Sequence, residues 1–130
     1  RSLALISAND IGYTYKSAAR EALNQLFAQR GSCDDILIVR QRLLTDTSIA
    51  NIALFDGKHW HTPQSPLLKG TKRAELLDKG ILSERKIHVE DIPSYSTVRL
   101  FNAMIDWGEL ELPAVCLHSA FRTPHSPLLK

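Results

Sequence analysis

The chain has 130 residues, 44% hydrophobic and 23% charged, and its 16 basic side chains against 14 acidic ones leave a net charge of +2. That length fits one ordinary domain spanning 1–130, with a core large enough to need no staples. The small, evenly spread charge argues against a nucleic-acid partner, and no apolar run nears the ~20 residues that cross a bilayer.

Two cysteines, Cys33 and Cys116, are too few for a disulfide framework, so both are expected to be reduced in a cytoplasmic protein. With no Cys-x-x-Cys pair and five scattered histidines, no zinc site is expected. The sequence opens Arg1-Ser2-Leu3 and its one methionine is Met104, so it reads as a fragment or a processed product.

In chain order, residues 2–7 form a short apolar strand, followed by turn chemistry at Asn9-Asp10-Ile11-Gly12 and a β-prone stretch from Tyr13 to Lys16. Residues 18–29 carry Ala19, Leu23, Leu26 and Phe27 at helical spacing, with Ser17 as a candidate N-cap and Gly31 past the last turn. Ile36 to Val39 is apolar enough for a strand buried on both faces. Leu43 to Asp46 is expected to turn the chain into a strand over 47–55. Asp56-Gly57 is the strongest hairpin signal, returning through Lys58 to His61. A loop over 62–66 leads to a helix from about Thr71 to Lys79, stopped by Gly80. Ile87 to Val89, Val98 to Phe101 and Leu110 to Leu117 read as strands, with a helical turn opened by Ile92-Pro93. Mixed strands and helices in this order make an α+β or α/β sheet domain.

One repeat stands out. Thr62-Pro-Gln-Ser-Pro-Leu-Leu-Lys69 recurs as Thr123-Pro-His-Ser-Pro-Leu-Leu-Lys130, matching at seven of eight positions. It is too short, and too isolated, for a solenoid.

Three features could carry chemistry. Gly70-Thr71 opens a helix and is followed at once by Lys72 and Arg73. Cations in a first turn oppose the helix dipole by roughly 0.3–1 kcal/mol each, and a bound anion would reverse that. The free N–H groups there suit a phosphate, although an ordinary helix start with solvated Lys and Arg reads the same way. Lys16, behind Tyr13-Thr14-Tyr15, is either a surface lysine packed on tyrosine or a partly buried amine with a depressed pKa, fit to be a nucleophile. Asp46, in Thr45-Asp46-Thr47-Ser48, is either a turn residue or the partner of a protonated ring nitrogen in a pyridine-type electron sink.

Taken in order, the segments Tyr13-Thr-Tyr-Lys16, Asp34-Asp-Ile-Leu-Ile-Val-Arg40, Leu44-Thr-Asp-Thr-Ser-Ile-Ala-Asn51, Thr62-Pro63, Pro66-Leu-Leu-Lys-Gly-Thr-Lys-Arg73 and Asn102-Ala-Met104 make a pattern over Tyr13 to Gly108. The pattern resembles the class IV (fold type IV) aminotransferases, which include branched-chain and D-amino-acid aminotransferases and aminodeoxychorismate lyase. The resemblance implies the larger, C-terminal, cofactor-carrying domain of that fold, with the family's smaller N-terminal domain missing. It implies a pyridoxal 5'-phosphate enzyme, a homodimer, acting on an amino acid and a keto acid. By position, Lys16 matches the Schiff-base lysine, which also carries the proton. Asp46 matches the acidic residue on the pyridine nitrogen, usually a glutamate. Leu68 matches the residue against one ring face. Gly70 and Thr71 match the phosphate-binding helix start, and Ala103 and Met104 the second phosphate loop. Arg42 stands where a turn glycine is common, and Ile49 where a small polar residue is often found near the ring.

The reaction implied is amino-group transfer on a branched-chain or D-amino acid. A lyase of the aminodeoxychorismate type, a non-catalytic remnant, and a binding module for another phosphorylated ligand at Gly70 and Thr71 are the other readings.

Overall fold

The computed structural model describes residues 2–8 and 17–119. Nine strands and two α-helices make up this part: β1 Leu3–Ser7, α1 Ser17–Phe27, β2 Asp35–Arg40, β3 Leu43–Thr47, β4 Asn51–Phe55, β5 Trp60–Pro63, α2 Thr71–Asp78, β6 Leu82–Arg85, β7 Thr97–Phe101, β8 Leu110–Pro113 and β9 Leu117–Ser119. Short 3-10 turns fill Ala28–Arg30, Val89–Ser94 and Ala114–Cys116. The strands form a four-stranded sheet in the order β3-β2-β1-β9 and a five-stranded sheet in the order β6-β5-β4-β7-β8. β1 runs parallel to both β2 and β9, and β5 parallel to β6, while the remaining pairs are antiparallel.

Strand alternation explains the layering, because successive side chains point to opposite faces. Leu3, Leu5, Leu37 and Val39 face the second sheet and meet Ile52, Leu54, Val98, Leu100 and Leu112 in the main core. Ala4, Ile6, Ile36 and Ile38 point the other way, toward Leu23, Leu26 and Phe27 of α1. Both faces of β1 and β2 are thus covered, which is why their sequences are continuous apolar runs rather than alternating ones. On the far face of the second sheet, Ala53, Phe101 and Leu82 pack with Leu76 of α2, Trp60 and Trp107. The aromatic set at its rim holds the Arg99 guanidinium 4.5 Å from the Trp60 ring and 4.8 Å from the Trp107 ring. The mixed α/β expectation is met by these layers of helix, sheet, sheet and helix.

Several element boundaries differ from those expected, for physical reasons. Leu43 to Asp46 is not a turn but most of β3. The turn lies one step earlier, at Gln41 (φ 53°) and Arg42 (φ 68°), two non-glycine residues in the left-handed region. Such a conformation costs of order 1 kcal/mol or more per residue. At Arg42 the side chain is held by two hydrogen bonds, of 3.0 and 2.7 Å, to Glu90.

The expected strand over 47–55 is broken at Ser48–Ala50, where the Thr47 hydroxyl accepts the N–H groups of Ile49 and Ala50. This hydroxyl turn hands the chain from one sheet to the other. The return strand of the Asp56-Gly57 hairpin starts late, at Trp60, because the Asp56 carboxylate accepts the N–H groups of both Lys58 and His59. It then runs into the expected loop as far as Pro63.

The strand expected at Ile87 to Val89 lies instead at Leu82–Arg85, with Ile87 a buried core residue and His88 a single bridge to Leu43. Leu110 to Leu117 is not one strand. Pro113 and the turn at Ala114–Cys116 divide it, so that β8 closes one sheet and β9 the other. Among the described residues, no helix is long and apolar enough to cross a membrane. The stretch from Tyr13 to Lys16 and the second copy of the repeat lie outside the described residues.

Candidate active site

Where β3 ends, the chain must cross from the first sheet to the second, and the loops that accomplish this crossing build a cavity of about 560 Å³. Its walls come from the 46–51 crossing, the 67–71 loop into α2, the 102–104 loop after β7, and Leu23 of α1. Asp46, Leu68, Gly70, Thr71, Ala103 and Met104, six of the seven residues singled out by sequence, line this one cavity. Lys16, the seventh, lies outside the described residues.

Asp46 is the chemical centre of the cavity. Only 5% of it is exposed, and burial pushes its carboxyl from an ordinary 3.8 up to about 7. The backbone N–H groups of Leu68 and Leu67 and the charge of Arg73 pull the other way without offsetting the loss of water. Oδ2 accepts the Leu68 N–H at 2.9 Å. Oδ1 is buried and makes no hydrogen bond of ordinary geometry, the Leu67 N–H included, and is one of two such side-chain atoms among the described residues; Arg73 Nε is the other. A buried oxygen left unsatisfied typically costs 1–3 kcal/mol. An acceptor in that condition on a cavity wall is built to receive a donor from something that enters.

Gly70 stands at the start of α2 with no side chain capping the helix. Its backbone is ordinary and extended (φ −74°, ψ 162°), so glycine is not needed for conformation. It is needed for space: a Cβ here would lie 2.7 Å from Asn51 Oδ1. Asn51 is itself buried and donates from Nδ2 to the Leu68 carbonyl at 2.8 Å. One amide side chain therefore fixes the peptide that presents Leu68 and fits against the helix start. The first-turn N–H groups of an uncapped helix remain available to an anion.

The two cations that suggested an anion seat turn away from it. Arg73 is 3% exposed and bonds Glu84 at 2.6 Å and the Pro63 carbonyl at 3.1 Å, tying α2 to β5 and β6. Lys72 lies 3.7 Å from Asp106 and 3.9 Å from Glu75. Neither lines the cavity, whereas Lys69 does.

The third wall is organised by Asn102. Its Oδ1 accepts the N–H groups of Met104 and Ile105 at 2.7 and 2.8 Å, and its Nδ2 donates to the Ile49 carbonyl at 3.0 Å. That one side chain shapes the Ala103–Met104 loop and locks it to the crossing loop. Ser48, also on the wall, donates its hydroxyl to Asp35 at 3.1 Å. Ile49, Leu68 and Met104 leave apolar side chains 66%, 54% and 86% exposed around the rim. The roles of Asn51 and Asn102 were not foreseen. An asparagine just after a strand is a turn signal that could have marked Asn102.

The family model for amino-transferase class IV matches residues 2–110. The chain belongs to that family. An uncharacterised protein of Haemophilus influenzae is 43% identical over 104 residues, 80% of this chain and 55% of that protein. A candidate aminodeoxychorismate lyase of Schizosaccharomyces pombe is 32% identical over 89 residues, 64% of this chain and 38% of that one. The crystal structure of a candidate 4-amino-4-deoxychorismate lyase from Haemophilus somnus is 40% identical with a TM-score of 0.74, covering 80% of this chain and 54% of that one. The chain thus spans about half the length, or less, of these relatives.

Class IV aminotransferases are pyridoxal-phosphate enzymes, and the solved structures that share this fold include a fold IV transaminase from Curtobacterium pusillum (TM-score 0.60) and an aminotransferase from Brucella abortus bound to that cofactor (TM-score 0.65). The cavity's residues fit that cofactor on their own terms. Asp46 Oδ1 offers an unclaimed acceptor for a protonated ring nitrogen, and the Gly70 backbone leaves an open helix start for a phosphate.

Proposed function

We infer that this chain is the cofactor-holding part of a pyridoxal-phosphate enzyme acting on amino acids, and that it works as a homodimer. The observation that carries the reading is Asp46: a buried carboxyl with one oxygen bonded and the other unclaimed, on the wall of a cavity it shares with Leu68, Gly70, Thr71, Ala103 and Met104.

When bound, the cofactor supplies the electron sink. Everything else falls to side chains. Asp46 would keep a proton on the ring nitrogen by facing it as a carboxylate; that positive charge would in turn draw the Asp46 pKa down and favour the ionised form. Leu68 would cover one ring face. The α2 N–H groups at Gly70 and Thr71, with the Ala103–Met104 loop, would seat the phosphate. Lys16 would anchor the cofactor covalently and move the substrate's α-proton through its amine. Asn51 and Asn102 hold Leu68, Gly70 and the 103–104 loop in register, so the seat is shaped before anything binds.

Transfer of the amino group and elimination from the substrate are both within reach of these residues. The names of the Haemophilus somnus and Schizosaccharomyces pombe relatives favour the second, a lyase of the aminodeoxychorismate type. Incubation of the purified chain with pyridoxal phosphate should raise a visible absorbance band. Borohydride should then fix a pyridoxyl mass on Lys16, and Lys16→Ala should abolish both. A wild-type chain that takes up no cofactor refutes the reading. An adduct on another lysine refutes the role of Lys16.

A further inference from the structure

Asp46 does more in the fold than face a ligand, because its two oxygens are divided between two tasks. Oδ1 is buried on the cavity wall with no hydrogen bond. Oδ2 accepts the Leu68 N–H at 2.9 Å, across 22 residues of sequence, and the neighbouring Leu67 N–H also favours the carboxylate. One carboxyl group therefore joins the end of β3 to the loop that enters α2.

The Leu68 peptide is the first link in a short line of contacts. Its N–H is held by Asp46 and its carbonyl by Asn51 Nδ2 at 2.8 Å. Asn51 Oδ1 closes on Gly70, where a Cβ would lie 2.7 Å away. Gly70 is the N-terminal boundary of α2, and its carbonyl accepts the Ala74 N–H at 3.2 Å. Leu67 packs among the apolar residues beneath α1, but the side chains of Leu68 and Lys69 are exposed. Between Leu67 and the helix, the loop is thus fixed by hydrogen bonds to the Leu68 peptide and not by buried side chains.

We propose that Asp46, besides facing the ring nitrogen, is a positioning residue for the phosphate seat: through Oδ2 it fixes the Leu68 peptide, and through Asn51 and Gly70 the helix start. The ring-nitrogen half rests on the cofactor reading, whereas the loop half rests on the Leu68 hydrogen bond. A loop held before binding needs no ordering when the phosphate arrives. Releasing Leu68 lowers the population of the competent loop, and affinity falls by the same factor.

Asp46→Asn and Asp46→Leu have nearly the same shape and no charge, but only asparagine keeps an acceptor for the Leu68 N–H. Direct repulsion between a carboxylate and the phosphate therefore plays no part in the difference between them. Absorbance titration with pyridoxal phosphate, and with pyridoxal, which lacks the phosphate, gives for each variant the factor in affinity that the phosphate adds. That factor should be about fivefold smaller in Asp46→Leu than in Asp46→Asn, the worth of one hydrogen bond of ordinary strength. Asp46→Ala removes the acceptor without setting a methyl against the Leu68 N–H. It should show the same fall, and it replaces Asp46→Leu if that variant does not fold.

An equal phosphate factor with and without the acceptor overturns the proposal and leaves Asp46 a role at the ring alone. If the wild-type chain takes up neither ligand, the cofactor reading fails. In that case, or if the variants bind too weakly to titrate, the loop role is judged with inorganic phosphate by thermal shift. Protection of Asp46→Asn that is lost without the acceptor upholds it, and equal or absent protection refutes it.

Discussion

Replacing Asp46 with asparagine isolates the energetic burden of the candidate site. Asparagine has nearly the same shape and keeps an oxygen for the Leu68 N–H, but it cannot ionise. In the folded chain the Asp46 carboxyl titrates at about 7 against 3.8 ordinarily. The folded state therefore holds the proton more tightly than the unfolded state does. Well below pH 3.8 both states are protonated and no penalty exists. As the pH rises toward 7, the unfolded chain gives up the proton first, and stability falls. The gap between 3.8 and about 7 corresponds to roughly 4 kcal/mol at full development, an order-of-magnitude ceiling for a group this buried.

Urea unfolding of the cofactor-free chain, wild type beside Asp46→Asn, should show the variant gaining on wild type by up to about 3 kcal/mol between pH 4.5 and pH 8. Other titrating groups cancel in the difference. Saturating pyridoxal phosphate should reverse the order at pH 8, because only the carboxylate rewards a charged ring nitrogen and ligand binding stabilises the folded state. A stability difference that does not move between the two pH values would refute the claim that burial burdens Asp46.

Gly70→Ala should cost about 1–3 kcal/mol in thermal or urea unfolding, since a methyl 2.7 Å from Asn51 Oδ1 forces a buried, bonded amide to move. The same change in an Asn51→Gly background should be nearly free, and equal costs in both backgrounds would sink the steric explanation. Arg73→Met should destabilise by about 2 kcal/mol. It strips a partner from the Pro63 carbonyl and from Glu84, whose side chain is 42% exposed and can turn to water, which keeps the loss below that of a fully buried pair. Pyridoxal-phosphate affinity should change little in that variant; a loss of about tenfold would show Arg73 acting on the phosphate after all.

The layered fold was legible wherever one period governed a segment. The unbroken apolar runs of β1 and β2 and the helical stripe of α1 announced elements covered by tertiary packing, and they are. Legibility failed where side-chain hydrogen bonds to backbone decide the path. Thr47 breaks an apolar run with its hydroxyl, and Asp56 delays a strand with its carboxylate. Neither leaves a mark on hydrophobic periodicity. Arg42 was visible only as a departure from a common glycine, and its left-handed backbone gives that departure a physical meaning. At the site, the ordered motifs brought six residues to one cavity, whereas the dipole argument that read an anion seat from Lys72 and Arg73 left open where those side chains lie. Sequence adjacency to a helix start says nothing about the side on which a long side chain leaves. Here Arg73 and Lys72 leave toward acids on other elements.

What unites the site is that, among the described residues, the one buried side-chain atom of the cavity wall left without a hydrogen bond is Asp46 Oδ1. Asn51 and Asn102 each spend both ends of their amides on backbone or close packing, so the loops they tie are settled in advance. The strain is concentrated on Asp46, whose buried oxygen has no partner and whose charge has little water. A chain selected for stability alone would replace this carboxyl, as the asparagine variant would. Its presence on the wall of a cavity already braced by two amides and opened by a glycine is the pattern expected when folding free energy is given up to make a binding site specific.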